Sequence, residues 1–127
     1  MKKRAYNIIP NYYSPMCGDW AKDLSYESSH GIIFKNCNYN CIFCNNKFHP
    51  SELYKEYDED QFICTILQLM CSNNRFKFSG GEQTLNPYLA QDLDIVKKLG
   101  GYVFLDSNGS RPDVIQELVA KELIDVL

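Results

Sequence analysis

An α/β fold built on a parallel sheet is predicted by two features of this sequence. Short apolar runs alternate with amphipathic helical patterns, and the segments carrying glycine, cysteine or acidic residues fall directly after the apolar runs. At 127 residues the chain suits one domain with its own core. Its 45% hydrophobic and 23% charged residues are ordinary for a globular protein, and the 13% aromatic content supplies large packing side chains. A formal net charge of −3 leaves no footprint for nucleic acid or an anionic membrane, and Lys2-Lys3-Arg4 reads as a solvated terminus. No apolar run approaches the ~18 residues of a membrane span, and no apolar segment follows the N-terminal charges as in a signal peptide. The expected location is cytoplasmic.

Residues 1–30 are rich in Tyr, Ser, Asn and Pro without a sustained period, so an irregular extension is expected there, with Cys17 and Trp20 as packing residues. Residues 31–34 form a short apolar run that reads as a buried strand. A helix follows over 58–70, where Phe62, Ile63, Ile66, Leu67 and Met70 recur at helical spacing behind an Asp58 cap with Gln61 three residues on. Cys64 and Cys71 are expected on or beside its apolar face. Residues 76–79 read as the next strand. The second helix starts near Pro87, buries Leu89, Leu93, Val96 and Leu99, and stops at Gly100-Gly101. Residues 102–105 form a third strand, and a third helix from Pro112 turns Val114, Ile115, Leu118 and Val119 to the core. Residues 124–127 read as a fourth strand.

Loops at the carboxyl ends of parallel strands share one edge of the sheet, so three polar segments far apart in sequence are expected to converge. The first reads Cys37-Asn38-Tyr39-Asn40-Cys41-Ile42-Phe43-Cys44. Three thiolates this close can cap three irons of a cubane and leave the fourth iron open. The same cysteines with His49 can also make a Cys3His zinc site. That unevenly spaced trio among six cysteines fits a metal site in a reducing compartment better than a disulfide framework. The second segment is Ser79-Gly80-Gly81-Glu82, and the third is Asp106-Ser107-Asn108-Gly109.

The C-x3-C-x2-C spacing with Phe43 before its last cysteine resembles the radical S-adenosylmethionine (SAM) superfamily, and Gly80-Gly81-Glu82 resembles that family's Gly-Gly-Glu motif. Asp106-Ser107-Asn108-Gly109 is similar to the Asp-Thr-Asn-Gly stretch of glycyl-radical-enzyme activating enzymes, and Asn46 shortly after Cys44 resembles the same group, with Asn45 where those enzymes carry His. The resemblance implies a [4Fe–4S] cluster on Cys37, Cys41 and Cys44, and SAM held by Gly80, Gly81 and Glu82, with Glu82 on its ammonium group. It places Phe43 at the cluster. It gives Asp106 and Ser107 a role beside the SAM carboxylate with a monovalent cation, and Asn108 a polar contact.

The implied activity is reductive cleavage of SAM to a 5′-deoxyadenosyl radical by an oxidoreductase that activates a glycyl radical enzyme and draws one electron from a donor such as flavodoxin or ferredoxin. Two alternatives stand beside it: a radical SAM enzyme acting on a peptide or small molecule, and a non-catalytic zinc or iron–sulfur domain. The implied architecture is a parallel (βα)n partial TIM-like barrel. This chain would hold its first half, about three and a half βα units, as a truncated core over residues 31–127 behind the extension at 1–30.

Replacing Cys37, Cys41 or Cys44 singly by Ala should abolish [4Fe–4S] incorporation on anaerobic reconstitution, whereas Cys17, Cys64 and Cys71 should be individually dispensable. Stoichiometric zinc with little iron or sulfide would reject the cluster.

Overall fold

The computed structural model describes residues 3–12, 29–35 and 54–127. Cys17, Trp20, Cys37, Cys41, Phe43, Cys44, Asn45, Asn46 and His49 lie outside the described residues.

Arg4–Tyr12 forms strand β1, which corrects the expectation of irregular structure there. Alternate positions Arg4 and Tyr6 are buried and Ile8 packs against the core, as a strand with one face inward requires. Pro10 hides this pattern in the sequence. The strand accommodates it where the register with its neighbour shifts between Ile9 and Tyr12, a place where a missing N–H breaks no regular ladder. Ser29–Phe34 forms β2, Lys55–Tyr57 β3, Arg75–Gly80 β4 and Tyr102–Leu105 β5. The helices are α1 (Glu59–Leu69), α2 (Leu89–Lys98) and α3 (Pro112–Ala120).

The five strands lie in the order β3-β1-β2-β4-β5. β2, β4 and β5 are parallel, with Ile32 opposite Phe78 and Phe78 opposite Leu105. β1 runs antiparallel to both β2 and β3. The fold is therefore α/β with a mixed, open sheet among the described residues, and the all-parallel expectation holds only for β2, β4 and β5. Residues 124–127 do not complete a fourth parallel strand. Val126 makes a single parallel bridge to Phe104, and Leu127 is 65% exposed.

One core cluster joins Ile32, Phe76, Phe78, Val103 and Leu105 of the sheet to Phe62 and Ile66 of α1, Leu89, Leu93 and Val96 of α2, and Leu118 of α3. The opposite positions on β4 are Lys77 and Ser79, also buried. α1 begins at the expected capping box: Gln61 N donates to Asp58 at 2.8 Å and Asp58 N to the Gln61 side chain at 3.0 Å. Its phase differs from expectation, because the buried stripe through Phe62 and Ile66 leaves Leu67 48% exposed and Cys64 and Cys71 at the surface. Val119 of α3, expected in the core, is 54% exposed for the same reason.

Asp92 is the unexpected residue of the core, fully buried beside Leu89, Leu93 and Val96 on α2. Tyr6 Oη donates to its Oδ2 at 2.6 Å and Arg4 Nε donates to the same oxygen at 3.2 Å. Arg4 Nη2 lies 3.0 Å from Oδ1, close enough for an ion pair but without the alignment of a hydrogen bond. Burial pushes the Asp92 carboxyl from its ordinary 3.8 up to about 6, against the hydrogen bond from Tyr6 and the charge of Arg4 that pull it down. A folded-state value above the unfolded one means that the stability Asp92 contributes is complete below pH 3.8 and is lost as pH rises through about 6. In urea titrations from pH 4 to pH 7, wild-type stability should therefore fall relative to that of Asp92→Asn; a difference independent of pH would contradict the raised value.

Candidate functional site

The parallel register brings the ends of three strands to one edge. Phe34, at the end of β2, is the partner of Gly80, at the end of β4, and Leu105 ends β5 beside Phe78. Gly80 has φ +105°, and a Cβ there would lie 2.3 Å from the Phe34 carbonyl oxygen. Only glycine meets both conditions without strain. The next amide, Gly81 N, donates to that oxygen at 2.6 Å. Phe34 stands three residues before Cys37, so the backbone leading into the cysteine segment leaves β2 directly against the Gly80-Gly81 turn.

Beyond this turn the chain makes a short 3-10 segment, Gln83–Leu85, capped by Glu82. The Glu82 carboxylate is fully buried. Its Oε2 accepts from Thr84 N at 3.2 Å, from the Thr84 hydroxyl, and from Ser107 Oγ at 2.8 Å. Its Oε1 accepts from Asn108 N at 2.7 Å. The second and third polar segments are thus joined through one carboxylate, across 26 residues of sequence.

Asp106 follows β5, and its backbone N donates to Phe78 O at 3.0 Å. Its side chain accepts from Ser79 Oγ at 2.9 Å and lies 3.4 Å from Lys77 Nζ. The lysine is mostly buried and the aspartate about half exposed, so the pair stands at the boundary between the sheet and solvent. Ser107 Oγ also accepts from Gly109 N at 3.1 Å, which closes the loop on itself.

Of the residues singled out from sequence, Gly80, Gly81, Glu82, Asp106, Ser107 and Asn108 gather at this edge. Cys37, Cys41, Cys44 and Phe43 lie outside the described residues. Sequence reasoning gave no role to Lys77, Thr84 or Gln83. A signal for the first was present: Lys77 and Ser79 alternate with Phe76 and Phe78, so β4 carries polar groups on the face away from the core. Gln83 is fully buried, and its Nε2 donates to both Ile32 O and Ser79 O at 2.9 Å, tying the turn to the last residues of β2 and β4.

The donor chemistry of the edge suits SAM and an iron–sulfur cluster. Carboxylate and hydroxyl oxygens that can accept from an ammonium stand beside a backbone that leads into three closely spaced thiols. No helix among the described residues is long and apolar enough to cross a membrane.

Comparison with known proteins gives a match to the radical SAM superfamily over residues 32–127. The chain is also 30% identical over 104 residues to a protein of Methanocaldococcus jannaschii named "putative glycyl-radical enzyme activating enzyme". That alignment covers 81% of this chain and 42% of the relative, so the chain spans less than half of the relative's length. No solved structure gives a significant match. The family match begins within β2 and takes in both the cysteine segment and the edge that holds Glu82 and Asp106: this chain belongs to the radical SAM superfamily.

Proposed function

We propose that this chain is the cluster-binding and SAM-binding part of a radical SAM oxidoreductase that activates a glycyl radical enzyme. The observation that carries the reading is the Glu82 carboxylate, which accepts hydrogen bonds from both Ser107 and Asn108 at the edge where β2 leads toward the cysteines. The similarity to an activating-enzyme relative supports the choice of substrate class.

In this reading Cys37, Cys41 and Cys44 hold a [4Fe–4S] cluster with one iron open. Bound there, the cluster and SAM supply a one-electron cleavage of a C–S bond that yields methionine and a 5′-deoxyadenosyl radical, the electron coming from a donor such as flavodoxin or ferredoxin. The absent side chain at Gly80 lets β2 and β4 stay in contact up to the turn, and Gly81, also without a side chain, would let cofactor approach backbone there. Glu82 receives the SAM ammonium on Oε1, which carries one donor against three on Oε2 and keeps acceptor capacity. Asp106 and Ser107 face the SAM carboxylate. A monovalent cation beside Asp106 would share it with Lys77, already 3.4 Å away. Phe43 would stand at the cluster.

A partial barrel is the architecture that goes with this reading. The order β2-β4-β5 proceeds without reversal, and helices α1 to α3 share one core cluster with one face of those strands. That arrangement supports a (βα)n barrel over a doubly wound sheet, which sets helices on both faces. The cytoplasm, where thiols stay reduced, is the matching compartment.

The test is anaerobic reconstitution of residues 1–127 with iron and sulfide, followed by SAM calorimetry. The wild-type chain should take up a [4Fe–4S] cluster and bind SAM. Glu82→Ala should keep the cluster yet lose SAM affinity by about 1.5–3 kcal/mol, the range for a charge-assisted hydrogen bond. Unchanged affinity would remove Glu82 from the site. The same variant should also lose about 1–3 kcal/mol of folding stability in urea, because the buried donors of Thr84 lose their acceptor; equal stability would contradict the structural half of its role.

A further inference from the structure

The N-terminal strand has no place in the site as described, yet its buried polar side chains lead into it. Arg4 and Tyr6 both donate to Asp92 Oδ2. Tyr6 Oη in turn accepts from Asn86 Nδ2 at 2.7 Å. The same Asn86 nitrogen donates to Gln83 Oε1 at 3.3 Å. Gln83 then donates to the carbonyls of Ile32 and Ser79. The path runs from β1, where Asp92 of α2 holds its start, through Asn86 at the end of the 3-10 segment to Gln83, the residue that follows Glu82.

Each member is buried, and the arrangement is costly as pure scaffolding. A buried ion pair is often matched or exceeded in stability by apolar side chains of similar volume. What the polar path does supply is direction. Gln83 has its amide nitrogen fixed by two strand carbonyls and its amide oxygen by Asn86, so its backbone has one orientation. Glu82 is its covalent neighbour, and Thr84 on the other side donates to the Glu82 carboxylate. Asn86 is held from two directions, by Tyr6 and by the Tyr88 N–H, which donates to its Oδ1 at 3.0 Å. Arg4 also stacks on the Tyr88 ring, 4.6 Å from its centroid.

We propose that Tyr6 and Arg4 of β1 are positioning residues for the SAM site: acting through Asp92, Asn86 and Gln83, they set the orientation of the turn that carries Gly80, Gly81 and Glu82. This rests on the reading of that turn as the SAM-binding element. The N-terminal strand thereby belongs to the site. Tyr6 is the decisive link, because its hydroxyl bonds to both Asp92 and Asn86.

The test compares the cluster-loaded wild-type chain with Tyr6→Phe, which removes one oxygen and keeps the ring packed on Phe62 and Phe78. Three quantities are read below the unfolding transition: iron content, SAM affinity by calorimetry, and amide exchange. Tyr6→Phe should retain the cluster, weaken SAM binding by roughly three- to tenfold, and speed exchange at Leu85 and Asn86 while the Phe78 and Val103 amides stay protected. A purely structural role would speed exchange throughout the sheet and leave the affinity of the folded fraction unchanged, and that outcome overturns the proposal. Asn86→Ser breaks the same link from the other side and keeps an oxygen for Tyr88 N; it should reproduce the affinity loss if Tyr6→Phe does not fold. SAM binding by wild type with equal affinity in both variants rejects the positioning role and leaves the SAM reading intact. No binding by cluster-loaded wild type rejects both.

Discussion

A single buried carboxylate holds this site together. Glu82 receives donors from its own turn and from the loop after β5. Buried carboxylates are costly unless their lone pairs are matched. Here four donors match them, so the two loops are fixed to each other as a condition of burying the charge. The arrangement has a functional consequence in the proposed reading: a cofactor ammonium that joins Asn108 N on Oε1 would be held by the same carboxylate that fixes residues 107–108, which couples binding to their position.

That junction depends in turn on a close approach between strands. With β2 and β4 in parallel register, their last residues meet at Phe34 and Gly80, and the absent side chain at Gly80 lets the strands stay in contact up to the point where the chain turns away. The helices lie against the face formed by Ile32, Phe78 and Leu105. Lys77 and Ser79 point the other way and reach Asp106. Apolar packing on one face and polar contacts on the other are thus assigned by the period of a strand, and the acidic loop is anchored by residues whose spacing in β4 is two.

Much of this was legible because local signals agreed. The Asp58 and Gln61 cap, the apolar spacing of α1 and α2, and the polar residues after each of β2, β4 and β5 all appear in the sequence, and the convergence of the loops follows from parallel strands alone. Other features were hidden for physical reasons. β1 was masked by Pro10, which a strand tolerates only at an irregular position. Asp92 reads as a solvent-facing charge on an amphipathic helix, and only tertiary structure reveals that Arg4 and Tyr6 come from 86 or more residues away to meet it. Cys64, Cys71 and Val119 were misplaced because a helix with apolar residues on more than one side leaves its phase to be chosen by the sheet. The Glu82 junction was also invisible, since a Gly-Gly-Glu segment shows an acid but not the donors that surround it.

The most direct test of the central claim, that the two loops joined by Glu82 act as one SAM-binding edge, is amide hydrogen exchange on the cluster-loaded chain before and after SAM is added. Exchange should slow together in residues 80–85 and 106–109, with little change on the far side of α1. Protection confined to one loop, or absent from both while SAM is demonstrably bound, would contradict the account.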